Sequence, residues 1–132
     1  MNRKLVLLDG NSITHRAFHA LPPMDADGTP TNAVFGFFSM LLRALRDEQA
    51  EYLAVAFDPH GPTFRHAQYA DYKAGRPPTP EDLRVQFPIL REILQAMGVP
   101  ILSVDGYEAD DMLGTVSRRV SEAGDVCVLV TG

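Results

Sequence analysis

The chain has 132 residues, 45% of them hydrophobic and 22% charged, with a formal net charge of −5. That length fits one small domain, the composition excludes a disordered chain, and no apolar run nears the roughly 20 residues that span a bilayer. The single cysteine, Cys127, excludes an internal disulfide, and the acidic average argues against a protein that coats nucleic acid with a basic surface.

Residues 4–8 form a short apolar run that reads as a buried strand. The run breaks at Asp9, short of the ~7–15 apolar residues of a signal peptide. Residues 12–20 read as a helix entered through the Asn11-Ser12 capping pair, and residues 21–30, with paired prolines and Asp-Ala-Asp, read as a loop. Thr31 or Asn32 caps a long helix that places Val34, Phe37, Phe38, Leu41, Leu42 and Leu45 at helical spacing. Residues 52–57 make a second strand, closed by Asp58-Pro59-His60-Gly61-Pro62.

Residues 64–74 read as a short helix mixing charged and aromatic side chains. Thr79 as cap, Pro80 at the first position and Glu81-Asp82 in the first turn predict a helix that carries Leu83, Phe87, Leu90 and Leu94, kinks at Pro88 and ends near Gly98. Residues 99–104 give a third strand, residues 109–123 a helix ending at Gly124, and residues 126–130 a fourth strand with Cys127 as a small core residue.

Strands alternating with helices, each strand apolar on both faces, predict an α/β fold with a parallel sheet covered by helices. Ligands of such sheets lie outside the carboxyl ends of the strands. Three strands lead there into acids: Asp9, then Asp58, then Asp105 followed by Glu108, Asp110 and Asp111. Carboxylates gathered from separate strands repel one another unless a cation sits between them. Mg2+ or Mn2+ suits an all-oxygen set, and a pair of such ions can clamp both oxygens of a phosphodiester displacement.

Each acid also has a plainer use. Asp9-Gly10 and Asp58-Pro59 are turn signals, and Glu108, Asp110 and Asp111 suit a helix N-terminus. In an ideal helix Glu108 and Asp111 share a face while Asp110 points elsewhere. All three converge only if the helix begins near Ala109.

The middle of the chain carries Arg65, Lys73, Arg76, Arg84 and Arg91. Tyr69, Tyr72, Lys73 and Arg76 line one helical face, which suits a grip on a single strand through stacking and phosphate contacts. The plainer reading is a solvated helix whose tyrosines pack on the core. His60 and His66 have no second ligand at zinc spacing. Gly36, inside the long helix, signals close packing.

Several phrases occur in a fixed order: Leu8-Asp9-Gly10-Asn11-Ser12, Arg16-Ala17-Phe18, Ala54-Val55-Ala56-Phe57-Asp58, Tyr72-Lys73-Ala74-Gly75-Arg76-Pro77-Pro78-Thr79-Pro80 and Gly106-Tyr107-Glu108-Ala109-Asp110-Asp111. Together they resemble the 5′ nuclease domains of the flap-endonuclease family, in the form found at the N-termini of bacterial DNA polymerases. The resemblance implies a PIN-like, Rossmann-like three-layer core over residues 1–132, with an arch-like segment at 63–97. It implies that Asp9, Asp58, Glu108, Asp110 and Asp111 bind metal, with two Mg2+ or Mn2+ ions in the complete domain. It further implies that Lys73 and Arg76 act on the scissile phosphate, and that Arg65 and Tyr72 join them in contacting DNA.

The implied activity is 5′-3′ exonuclease and flap-endonuclease cleavage of DNA with 5′ ends, flaps or junctions, in replication and repair. A polymerase domain in the same polypeptide, a cytoplasmic location and no membrane are implied with it. The family's next motif, Thr-Gly-Asp with a further Asp two residues on, is represented only by Thr131-Gly132. The expectation is therefore a domain missing its C-terminal part and weakly active. Alternatives are a PIN-type ribonuclease and a non-catalytic module that binds branched DNA. A strand-end aspartate phosphatase fits poorly, because Asn11 stands where such enzymes carry a second Asp.

Overall fold

A computed structural model describes residues 3–58, 80–104 and 107–131, the side chain of Asp110 excepted. In chain order these form β1 (Lys4–Asp9), α1 (Gly10–Ala20), β2 (Asp25–Ala26), β3 (Thr29–Pro30), α2 (Asn32–Glu48), β4 (Tyr52–Ala56), α3 (Glu81–Arg84), α4 (Gln86–Ala96), β5 (Ile101–Leu102), α5 (Ala109–Glu122) and β6 (Val126–Val130). The expected helix over 64–74, the Thr79 cap, and Arg65, Tyr72, Lys73 and Arg76 lie outside the described residues.

β1 pairs in parallel with β4 on one side and β6 on the other, and β4 pairs in parallel with β5, giving the order β5-β4-β1-β6. The expected parallel sheet is present, and its two faces are covered unequally. Val6, Leu8, Val55 and Phe57 face a large core built with Ile13 of α1, Phe37 and Leu41 of α2, and Leu90 and Leu94 of α4. Leu7, Ala54 and Ala56 face Ala109, Met112 and Leu113 of α5 alone. Because strand side chains alternate faces, Asp9 shares its parity with Leu5 and Leu7, and Asp58 with Ala54 and Ala56. Both acids therefore fall on the α5 side.

Several local expectations shift. α1 begins at Gly10, with Asp9 rather than the Asn11-Ser12 pair as its cap: Asp9 Oδ1 accepts from the Ser12 N–H at 3.1 Å. Starting the helix two residues early turns the strand-end acid into the helix's own N-terminal acceptor. Within the expected loop, β2 and β3 form a small hairpin turned by Asp27 and Gly28, both at positive φ. Thr31 makes no side-chain cap to α2. The cap comes from a distant residue: Gln86 Oε1 accepts from the Val34 N–H at 3.0 Å.

Gln86 is fully buried, and its Nε2 donates to Asn32 Oδ1 and to the Asp82 carbonyl, each at 2.9 Å. Asn32 in turn donates to the Phe18 carbonyl at 3.1 Å. One buried polar chain thus ties α1, α2 and the α3–α4 junction together. Losing it would leave several buried groups unpaired, at ~1–3 kcal/mol for each.

The Pro88 kink appears one turn earlier than expected, as a break at Val85 between α3 and α4. A proline displaces the carbonyl four residues before it, here that of Arg84. Pro88 itself then falls in the first turn of α4, where no N–H is needed. Pro80 sits at the N-cap of α3 rather than at its first position. The third strand is only two residues long. α5 and β6 fall where the sequence places them, to within a residue.

Two glycines permit close approaches. A Cβ on Gly36 would lie 2.6 Å from Ala17 Cβ, so this residue lets α2 cross against α1. A Cβ on Gly10 would lie 2.6–2.8 Å from three ring carbons of Phe57. Among the described residues, no helix is long and apolar enough to cross a membrane.

Candidate functional site

The register aligns Asp9 of β1 with Ala56 of β4, so both strands deliver their acids at one edge of the sheet. Two helices also begin there. α1 starts from Asp9 itself, and α5 starts from Glu108, its N-cap. Helix N-termini carry partial positive charge and unpaired N–H donors, which favour anionic groups.

Hydrogen bonds tie these acids to the two helix starts. Asn11, in the first turn of α1, accepts the Asp58 N–H at 2.7 Å through its Oδ1. Asp58 Oδ1 accepts the Ala109 N–H, the first of α5, at 2.7 Å. Asp111 Oδ2 accepts the Glu108 N–H at 2.9 Å, one half of a capping box. Asp9 and Glu108 are nearly buried, 7% and 5% exposed. Charged carboxylates so poorly hydrated are costly without a counter-charge.

Behind Asp58 lies a cation from the other face. The Arg91 guanidinium of α4 sits over the Phe57 ring, 4.9 Å from its centroid, and Nη2 donates to the Asp58 carbonyl at 3.2 Å. Burial pulls the Arg91 guanidinium below its ordinary pKa. Phe57 is fully buried, edge-on to Phe87, which is itself in ring contact with His15 of α1.

The structure thus brings Asp9, Asp58, Glu108 and Asp111 to one end of the sheet. It places the Asp110 backbone in the first turn of α5. The four described acids are not closed around a point: among the described residues, no group of three His, Cys, Asp or Glu is placed to hold a metal ion. As a donor set they suit a hard divalent cation, being all oxygen, and a carboxylate bonded through one oxygen retains acceptor capacity on both.

Sequence reading missed the roles of Asn11 and Arg91. By sequence Asn11 reads as part of a capping pair, whereas its Oδ1 accepts the Asp58 N–H. Arg91 is four residues after Phe87, which puts a cation beside the apolar stripe of its helix, and that was the available signal.

The chain matches, over residues 4–132, the family model described as 5′-3′ exonuclease, N-terminal resolvase-like domain. It is 48% identical to DNA polymerase I of Geobacillus stearothermophilus, an alignment covering 100% of this chain and 15% of that protein. It is 44% identical to a 5′-3′ exonuclease of Aquifex aeolicus, covering 92% of this chain and 43% of that protein. Among solved structures, the T5 5′-exonuclease with bound divalent metal ions (zinc) superposes with a TM-score of 0.67 at 21% identity, covering 98% of this chain and 49% of that one. That likeness speaks to the fold. The chain therefore spans less than half the length of each of these relatives.

Proposed function

The chain belongs to the family of 5′-3′ exonuclease N-terminal resolvase-like domains, and from that premise we propose that it carries the metal-binding acids of a 5′ nuclease acting on DNA. The observation that carries the reading is the network joining Asp58 to Asn11 and to the first N–H of α5. It gathers acids from two strand ends and one helix start where a parallel sheet binds its ligands.

Asp9, Asp58, Glu108, Asp110 and Asp111 are the proposed ligands of two Mg2+ or Mn2+ ions. When held by these residues, such ions would lower the pKa of a bound water and offset charge on the leaving oxygen. The chain's own part is placement. The N-termini of α1 and α5 orient Asp9 and Glu108, Asn11 fixes the Asp58 main chain, and burial of the acids keeps bulk water from screening them. Lys73 and Arg76 are assigned to the scissile phosphate, and Tyr72 and Arg65 to the DNA strand leading to it.

The proposed substrate is DNA with a 5′ end, flap or junction, cleaved in replication and repair in the cytoplasm, with a polymerase domain in the same polypeptide as in the Geobacillus relative. Neither alternative raised from the sequence, ribonuclease or non-catalytic module, is favoured, since the relatives are named as DNA polymerases and 5′-3′ exonucleases.

The test is cleavage of 5′-flap DNA by a polypeptide that continues past residue 132 as the relatives do. Cleavage is expected to need a divalent ion. It should fall by on the order of 10²–10³ in Lys73→Ala, the loss typical of removing one transition-state charge stabiliser, and by at least as much in Asp110→Asn. Parental rates in both variants would defeat the assignment.

A further inference from the structure

We propose that Arg91 is a positioning residue for Asp58, through which α4 sets the affinity of the proposed ligand acids for divalent ions. The inference rests on the metal reading above, and the geometry behind it does not.

Arg91 is costly where it stands. Its Nε is buried and has no hydrogen-bond partner among the described residues. An unpaired buried donor on a partly desolvated cation weakens a fold. An apolar side chain of similar length would cover the Phe57 ring without that loss. What the guanidinium supplies is the Nη2 bond to the Asp58 carbonyl.

That bond completes a set. The Asp58 N–H goes to Asn11 of α1, its carbonyl to Arg91 of α4, and its Oδ1 to the Ala109 N–H of α5. Three helices from both faces of the sheet hold the two main-chain polar groups and the carboxylate of a single residue. Asp58 lies two residues past the end of β4, just beyond the last bond to the neighbouring strand segment, that of the Phe57 N–H to the Leu102 carbonyl. Beyond that point side chains take over the restraint. Ligands held this way bind an ion without first losing rotamer freedom.

Charge and position predict opposite signs. A cation beside a metal site repels the ion, so a residue acting by charge alone would weaken binding, and its removal would tighten it. A residue acting by position strengthens binding, and its removal loosens it.

The experiment uses this chain and Arg91→Met, with Arg91→Lys as the conservative variant, in two arms. In the metal-free arm, amide hydrogen exchange at Asp58 and Ala109 is expected to speed up about tenfold in Arg91→Met while the thermal midpoint stays at or above the parent's, a local opening rather than a global one. In the second arm, calorimetric titration with Mg2+ and Mn2+ is expected to show several-fold weaker binding in Arg91→Met and an intermediate value in Arg91→Lys.

Unchanged exchange at both amides overturns the proposal whatever the ions do. So does a thermal midpoint that falls in step with the exchange, which marks a merely structural role, and so does equal or tighter ion binding in Arg91→Met. If the parent takes up neither ion while the exchange arm behaves as expected, the coupling of Arg91 to Asp58 stands and the metal reading is what fails.

Discussion

Gly10→Ala is expected to destabilise the chain by about 1–3 kcal/mol, the usual range for a methyl group forced into a packed core, and to weaken divalent-ion binding at the same time. The added Cβ meets Phe57 Cε1 at 2.6 Å and Cδ1 and Cζ at 2.8 Å. The ring has little room to yield. It is fully buried, edge-on to Phe87 and covered by the Arg91 guanidinium. Moving it drags on the next residue, Asp58, and on the Arg91 bond to the Asp58 carbonyl.

Gly36→Ala supplies the comparison. Its Cβ would meet Ala17 Cβ, also at 2.6 Å. Ala17 lies eight residues along α1 from Asp9, about 12 Å at the helical rise. Gly36→Ala should therefore cost similar stability in urea unfolding while leaving ion affinity near the parent's. Equal ion affinity in Gly10→Ala and the parent would mean that Phe57 does not transmit strain to the acids.

The second large effect concerns charge. In the double variant Asp9→Asn, Glu108→Gln, the stability gained on adding Mg2+ should vanish while the fold is kept. Both acids are nearly buried at one end of the sheet, so neutralising them removes the negative charge that a divalent ion would meet there. Asn caps a helix about as well as Asp, and its Oδ1 can take the Ser12 N–H that Asp9 holds now. Fold and charge are thereby separated.

In the parent, an ion at about a hundred times its dissociation constant stabilises by about 2.7 kcal/mol. For a domain of this size that is on the order of 10 °C in thermal midpoint. Scanning calorimetry with and without Mg2+ reads that gain. A double variant that melts earlier without metal and still responds to Mg2+ would show these carboxylates to be structural.

The parallel sheet was legible because its strands are apolar on both faces and alternate with helices. The convergence of acids was legible only as strand-end positions. That Asp9 and Asp58 share the α5 side follows from alternation, which a sequence shows once the strands are known. The hairpin at residues 25–30 escaped notice because it has no apolar alternation, only an Asp-Gly turn. The cap of α2 escaped because its acceptor, Gln86, is 52 residues away from Val34. Local propensity has no access to such a bond. Arg91 was hidden for the same reason, since a cation on a helix reads as solvated until its face is known. The arch residues were legible as one basic, aromatic helical face, and their catalytic roles only through the resemblance.

Asp9, Asp58, Glu108 and the first turn of α5 are proposed to surround a divalent cation. Diffraction from crystals soaked in Mn2+, with data collected near the manganese edge, tests it most directly. At least one anomalous peak is expected among those carboxylates. Carboxylates turned to solvent, with no peak at saturating Mn2+, would contradict it.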